Sequence, residues 1–501
     1  MKRAKAVITV FMALISVLFM SLAGALIDSA RMRGAMAQAA VIEEMGNYSI
    51  FGEFENTLLE EYEVFGLDGG RGTGDFAVGR IEDALRGYLL PNASPSGEVT
   101  AGLVFDPWKL RLQGQEVTGY TLLTDNGGEA YYRQIVEYMQ KTAAAQAVGK
   151  LYDTLEDAER LEGAGEAFEE AEKSSGDAVS AAGEAADEAA DLAAEGEGEA
   201  EVPADNPLKQ VSRLQRADPL TLLAGKYGVP ENRVSASELC YHRFRNRGNM
   251  ALPGDGPGLL GRLSGDLLFR EYLMDHFPCY GDHDSSFPLT CELEYILHGA
   301  KSDRANLRWA VIKLLFLREG VNYAYLLGSP EKNGAASLLA AAILTVFDGV
   351  PGLHAALMHG LLLGWAFGES LLDVKTLLDG GSVPLDKTDE SFLLDLSSLG
   401  DLGSLLGQDL GGRSEGLDYR QHLRLILYLQ PVSAQIKRGL ELTELNIRGK
   451  GEDSFRADNC IAAARTVSSW SVPPLFSGIS AAFTGSGADA VSFETSGTFM
   501  Y

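Results

Sequence analysis

The run Ala6–Ile27, AVITVFMALISVLFMSLAGALI, holds neither a charge nor a proline. At about 1.5 Å per helical residue it extends for roughly 33 Å, enough to cross the hydrocarbon core of a bilayer. Whatever follows must therefore hang from, or be exported behind, a membrane helix. Lys2, Arg3 and Lys5 precede the run, whereas Asp28, Arg31 and Arg33 follow it and partly cancel. That asymmetry predicts a single-pass protein of the cell membrane, with a cytoplasmic N-terminus and an extracytoplasmic C-terminal body. A cleaved secretory signal is the competing expectation, because Ala23-Gly24-Ala25 fits an A-x-A site. The run exceeds the usual signal core of about 7–15 residues and the helical pattern continues beyond Ala25, so a retained anchor is expected.

Past the membrane, apolar residues recur at Val41, Met45, Tyr48, Phe51, Phe54, Leu58, Tyr62 and Phe65, steps of three or four that mark one helical face. Gly34, Gly46 and Gly52 are its weak points, and Gly66 followed by Gly69-Gly70 supplies a stop. A membrane helix drawn out into an amphipathic stem is the layout of pilins. Within the run, Ser21, Ala25 and Ser29 lie four apart, a ladder of small residues that lets a second helix approach closely. The expected partners are thus the bilayer itself and other membrane or pilus-assembly proteins met through the N-terminal helix. Nucleic acid is excluded by a formal net charge of -28.

In Glu98–Leu123, Val99, Leu103 and Phe105 alternate with other residues. Trp108, Leu110 and Leu112 then alternate with Lys109, Arg111 and Gln113, which predicts two or three antiparallel strands. A helix follows, with Tyr131, Ile135, Tyr138, Thr142, Leu151 and Leu155 on one face. From Leu151 to Asp205 nineteen acidic residues face only Arg160 and Lys173, and Phe168 is the sole aromatic beyond Tyr152. So little apolar surface cannot offset ordering entropy; the first half can carry on the preceding helix, and a flexible linker is expected from about Ser174 to Asn206. Beyond it the pattern is helical to about Arg448, with helices over Leu267–Phe277, Leu289–Leu297, Arg304–Leu327, Ala335–Phe347, Leu353–Leu378, Tyr419–Leu429 and Gln435–Ile447. Ala335–Phe367 is apolar enough to suggest a second span, but Asp348, Pro351 and His354 split it into halves too short to cross, so buried core helices are expected. The Ser/Gly/Thr-rich last fifty residues read as strand and loop. The result is an α+β chain, mostly α. It divides into a cytoplasmic tip and transmembrane helix (1–27), a pilin-like stem with a small antiparallel sheet and helix (28–150), an acidic linker (151–206), a mainly helical domain (207–450) and a C-terminal strand and loop segment (451–501).

Gly256-Pro257-Gly258-Leu259-Leu260-Gly261 spells GxGxxG, but no strand precedes it and Pro257 removes an amide that a phosphate would need. P-loop, HExxH, GxSxG and CxxC patterns are absent. Cys240, His242, Cys279, His283 and Cys291 match no standard zinc spacing. Cys279 and Cys291 enclose a short loop containing Pro278, Gly281 and Pro288, a candidate disulfide outside the membrane, and Cys460 has no evident mate. Glu369 and Asp373 share a helix face, and Glu292 and Glu294 stand in an otherwise apolar segment. Paired carboxylates can hydrolyse glycosides. With Arg318 and Arg308 on a neighbouring helix, structural ion pairs are the favoured expectation. No catalytic, cofactor-binding or metal-binding residue is assigned.

Several stretches resemble a family of membrane-tethered surface proteins of Gram-positive bacteria grouped with the TadE/TadG-like proteins of tight-adherence pilus systems. They are Ile8-Thr9-Val10-Phe11 with Leu14, Ser29-Ala30-Arg31, Glu60-Glu61-Tyr62, and Phe65-Gly66-Leu67-Asp68. Further along come Glu292 to Leu297 with Gly299, Asn306-Leu307, Arg318, Asn322, Glu369-Ser370, Asp373-Val374, Val383-Pro384-Leu385, Gly416-Leu417 with Tyr419, and Asn446-Ile447-Arg448. The resemblance implies a place at the cell surface and no reaction. Thr9 stands about where true prepilins carry a glutamate, so prepilin processing is not implied. The sequence thus points to a non-enzymatic, pilus-associated or pseudopilin-like component. The alternative is a membrane-tethered glycan hydrolase or sugar-binding protein using the paired carboxylates.

Overall fold

The computed structural model describes residues 2–93, 106, 108–142, 145–194, 207–224, 227–254, 259–282, 287–344, 353–408, 410, 415–476 and 490–501. Glu98–Phe105, 195–206, Gly256–Gly258 and His283, on which some expectations above fall, lie outside them. The fold is mainly helical with one small antiparallel sheet. It forms two compact units, both discontinuous in sequence. The first comprises Met1–Ile135, Cys240–Gly256 and Lys450–Tyr501, the second Val136–Leu239 and Pro257–Gly449.

The first unit holds α1 (Lys2–Phe51), α2 (Asn56–Tyr62), β1 (Leu67–Asp68), α3 (Val78–Ala93), β2 (Arg111–Leu122), the start of α4 (Glu129–Thr142), β3 (Cys460–Val472) and β4 (Val491–Met500). β3 is the central strand, with β2 along one edge and β1 and β4 along the other, every pairing antiparallel. The expected sheet exists, but its strands come from both ends of the chain, so the segments read as 28–150 and 451–501 form one unit. Alternation at Trp108–Gln113 marks a single strand, because its neighbours lie more than three hundred residues away.

α1 has two halves of different character. In the first, Val7 to Leu26 leave their apolar side chains open, and the best 18-residue window is only 6% buried, which makes it a candidate membrane span or signal sequence. In the second, Ala35, Ala39, Ile42, Ile50 and Phe51 pack with Ile81, Leu85 and Leu89 of α3 and with Val117, Leu122, Ala464, Trp470 and Val472 of the sheet. Small residues permit this approach: a Cβ on Gly46 would come within 2.7 Å of Leu89. Glu43, Asn47 and Thr466 pair with one another inside the contact. Thr466 donates to Glu43 at 2.6 Å, and Asn47 donates to Thr466 at 2.8 Å. The helix stops at Phe51, about four turns short of the expected face through Phe65, because Gly52 breaks it before α2 starts.

The second unit contains α5 (Ala145–Ala194), α6 (Pro207–Gln215), α7 (Pro219–Leu223), α8 (Leu259–His276), α9 (Glu292–His298), α10 (Asp303–Gly328), α11 (Pro330–Leu344), α12 (Leu353–Leu378), α13 (Leu402–Leu405), α14 (Tyr419–Leu429) and α15 (Val432–Gly449). α10 and α12 form its centre. The apolar window of α12 is 78% buried, so this helix is core, as expected. The acidic segment departs from its expectation, since residues through Ala194 continue as helix in place of the flexible linker expected from Ser174. Leu151, Ala158, Leu161 and Phe168 are buried at helical spacing, while the acidic residues from Asp153 to Glu172 face solvent or pair outward, as Glu162 does with Lys313 at 2.8 Å. Alanine favours the helix, and one narrow apolar stripe suffices to dock it. The docking is close: a Cβ on Gly320 of α10 would come within 2.3 Å of the backbone at Ala164 and Gly165.

Candidate functional site

The residues singled out in the sequence meet in the core of the second unit. α12 carries Glu369 and Asp373 one turn apart, which places both carboxylates on the face turned toward α10. From α10, Arg318 donates through Nε to Asp373 Oδ2 at 3.0 Å, with both side chains 1% exposed. Its Nη1 reaches the carbonyl oxygens of Pro384 (2.9 Å) and Leu385 (3.3 Å), which binds the segment after α12 to the same point. Asn322, one turn further along α10, donates to Ser370 Oγ at 3.0 Å and to Asp373 Oδ2 at 3.1 Å.

Lys387 completes the cluster, and the sequence reading missed it. Its ammonium, fully buried, donates to Glu369 Oε1 at 2.5 Å, to Asp373 Oδ1 at 2.7 Å and to the Ser391 carbonyl at 3.0 Å. Glu369 also accepts the Leu393 amide at 3.1 Å and the Leu394 amide at 2.8 Å. Nothing in the polar stretch Leu385–Asp389 distinguishes Lys387 from an ordinary solvated lysine. Only its return to α12 puts it underneath the two acids.

The two carboxyls sit in different fields. Burial, and then the neighbouring Asp373, raise Glu369 above the usual carboxylate range despite Lys387. Burial also works to raise Asp373, but the charges of Arg318 and Lys387 outweigh it and hold that group low. His422 of α14 is pushed down to about 4 by burial and then by Arg318, so the ring is neutral near pH 7.

A second buried acid stands on α9. Glu294 accepts the Tyr280 amide at 2.9 Å and the Tyr419 hydroxyl at 2.8 Å, and burial drives it up to about 7. Glu292 is buried beside it, and Tyr295 donates to Glu441 at 2.8 Å. The candidate disulfide is not formed, since Cys279 and Cys291 are both free thiols. Burial pushes the Cys279 and Cys291 thiols upward, with Glu294 adding to the effect. The enclosed loop is held by other contacts, including the Cys279 amide on Asp282 at 3.0 Å and the Cys291 amide on Asp303 at 3.1 Å.

Arg308 does not join either acid pair; it meets Asp218 at 2.9 Å on a half-exposed surface. Ser21, Ala25 and Ser29 lie on the open part of α1 and touch none of these residues. Glu292, Glu294, Glu369 and Asp373 are each 0% exposed, so none of them offers a carboxyl to an open cleft. Acid–base work on a glycoside requires one carboxyl within reach of the leaving oxygen and another near the anomeric carbon or its attacking water. What this arrangement does is clamp α10, α12 and the segment 384–394 at one charged, buried node held by several hydrogen bonds.

A mainly α protein, built around such a node and carrying one exposed apolar helix, is the class that fold and site define. The chain belongs to DUF5702, a family of unknown function whose model matches residues 197–472. The entire node, from Glu292 to His422, lies inside that match, whereas α1 precedes it. No curated protein and no solved structure matches the chain.

Proposed function

We propose that this chain is a non-enzymatic, single-pass surface protein, a pilus-associated or pseudopilin-like component with a structural or assembly role. The observation that carries this reading is the division of α1 into an open apolar half and a half that forms the spine of the sheet. A helix built in that way is tethered and load-bearing at once. Its N-terminus lies in the cytoplasm and the two units lie outside, in accord with Lys2, Arg3 and Lys5 ahead of the run. A retained anchor is further supported by contacts on both sides of Ala25: Gly24 is covered by Phe476, and Asp28 accepts the Leu475 and Phe476 amides. The partner is another membrane helix, approaching along Ser21, Ala25 and Ser29, whose small side chains remain open.

The test is site-directed crosslinking in intact cells. Ser21→Leu with Ala25→Leu should leave insertion unchanged and weaken crosslinking to a membrane partner; unchanged crosslinking refutes the ladder. Protease added to intact cells should digest the two units and spare the apolar run, and recovery of an uncut body refutes the orientation.

A further inference from the structure

We infer that the chain touches the membrane a second time, through the segment Pro473–Phe476 that leaves β3, and that this segment lies in the headgroup layer with Leu475 and Phe476 turned toward the acyl chains. The inference rests on the anchoring of α1 proposed above.

The segment is seated on α1 where the apolar run ends. Gly24 is buried among exposed neighbours because the Phe476 side chain lies on it; a Cβ there would come within 2.9 Å of Phe476. Asp28, one turn later, accepts the amides of Leu475 at 3.1 Å and of Phe476 at 3.1 Å. Arg31 then donates to the Pro473 carbonyl at 2.6 Å and to the Trp108 carbonyl at 2.9 Å. The Trp108 ring covers Gly34, where a Cβ would come within 2.3 Å of it.

Helix rise converts these contacts into depth. If Ile27 marks the hydrocarbon boundary, Gly24 lies about 4.5 Å inside it and Gly34 about 10 Å outside. Phe476 is therefore level with the outer acyl chains and Trp108 with the headgroups, the depths that aromatic belts occupy. Leu475 and Phe476 remain 41% and 38% exposed, an apolar surface continuous with the open face of α1. Backbone amides at that depth lose their water and need internal acceptors, and the Asp28 carboxylate supplies one to each. Segment and helix together would hold the sheet at a set height above the lipid, where a single flexible tether would let it swing.

The experiment uses the full-length chain in vesicles of phosphatidylcholine brominated either high on the acyl chain or near its end, with wild-type emission as baseline. Phe476→Trp and, independently, Leu475→Trp should add tryptophan emission that is lost with bromines high on the chain and largely kept with bromines near its end. Val17→Trp, in the middle of the apolar run, should show the reverse preference. If Val17→Trp is quenched while both loop variants emit as in unbrominated lipid, the second contact is overturned and the anchor stands. If none of the three is quenched, the anchor reading falls and takes this inference with it.

Discussion

Replacing Lys387 by methionine removes the one cation shared by two buried acids. In the parent chain its ammonium lies 2.5 Å from Glu369 and 2.7 Å from Asp373, all three groups fully or almost fully buried. After Lys387→Met, two carboxylates share the core with Arg318 alone, and Arg318 contacts only Asp373. Removing one partner of a buried pair costs about 3–5 kcal/mol, because the remaining charge stays desolvated. The Leu393 and Leu394 amides still hold Glu369, which places the loss toward the lower end. At about 2 °C per kcal/mol for so large a unit, and with the loss near the lower end of that range, melting of the second unit should fall by roughly 6–8 °C. The assay is thermal unfolding of the full-length chain in detergent, followed by near-ultraviolet circular dichroism. The sign of the pH response is fixed as well. Glu369 already titrates above its ordinary range, so in the variant the folded form takes up a proton that the unfolded form does not. The deficit should therefore shrink between about pH 7 and about pH 5, and adding Glu369→Gln should recover part of it at neutral pH. A variant that melts with the parent, or a deficit indifferent to pH and to Glu369→Gln, would refute the node as described.

Three further outcomes follow from the packing. Gly320→Val drives a side chain into the α5 backbone at Ala164 and Gly165 and should undock α5, costing about 1–3 kcal/mol; limited proteolysis should then cut within Ala145–Ala194 much faster than in the parent. Arg31→Ala removes hydrogen bonds to the Pro473 and Trp108 carbonyls and should destabilise the first unit by about 1.5–3 kcal/mol, read as a lower urea midpoint with unchanged slope. Glu319 of α10 is pushed up to about 8 by burial and then by Glu172, so between about pH 4.5 and that value the folded chain holds a proton that the unfolded chain has lost. Stability of the second unit should accordingly decline as pH rises through that window, and Glu319→Gln should flatten the decline in parallel unfolding titrations.

Much of the second unit was legible because its helices obey local rules. Leu353–Leu378 and Tyr419–Leu429 fall on the expected boundaries, and the depth of α12 was readable from the polar breaks ahead of it. That an acid on α12 would meet an arginine of α10 also followed from the cost of a buried charge, whereas Glu294, expected in an ion pair as well, is held by the Tyr280 amide and the Tyr419 hydroxyl. What could not be read depends on distant pairing. β3 has the sequence CIAAARTVSSWSV, small and hydroxyl-bearing, and shows itself as the central strand only once β2 and β4 lie against it. Lys387 reads as an ordinary solvated lysine in a polar stretch until the backbone folds it under α12. The acidic segment misled for a different reason. Its average composition describes a solvated chain, whereas the helix docked by four apolar residues in its first half runs on through Ala194.

The position of β3 also governs the order of events as the chain is made. β2 emerges early, yet every backbone group along the edge that faces β3 waits until residues 460–472 have followed. All of the second unit is synthesised in that interval, so it is free to fold first while the sheet still lacks β3 and β4. Closure then packs β3 and β4 against α1, so the first unit is finished last. Any stall in synthesis before Cys460 would leave β1 and β2 without the strand that pairs them, beside a second unit already folded.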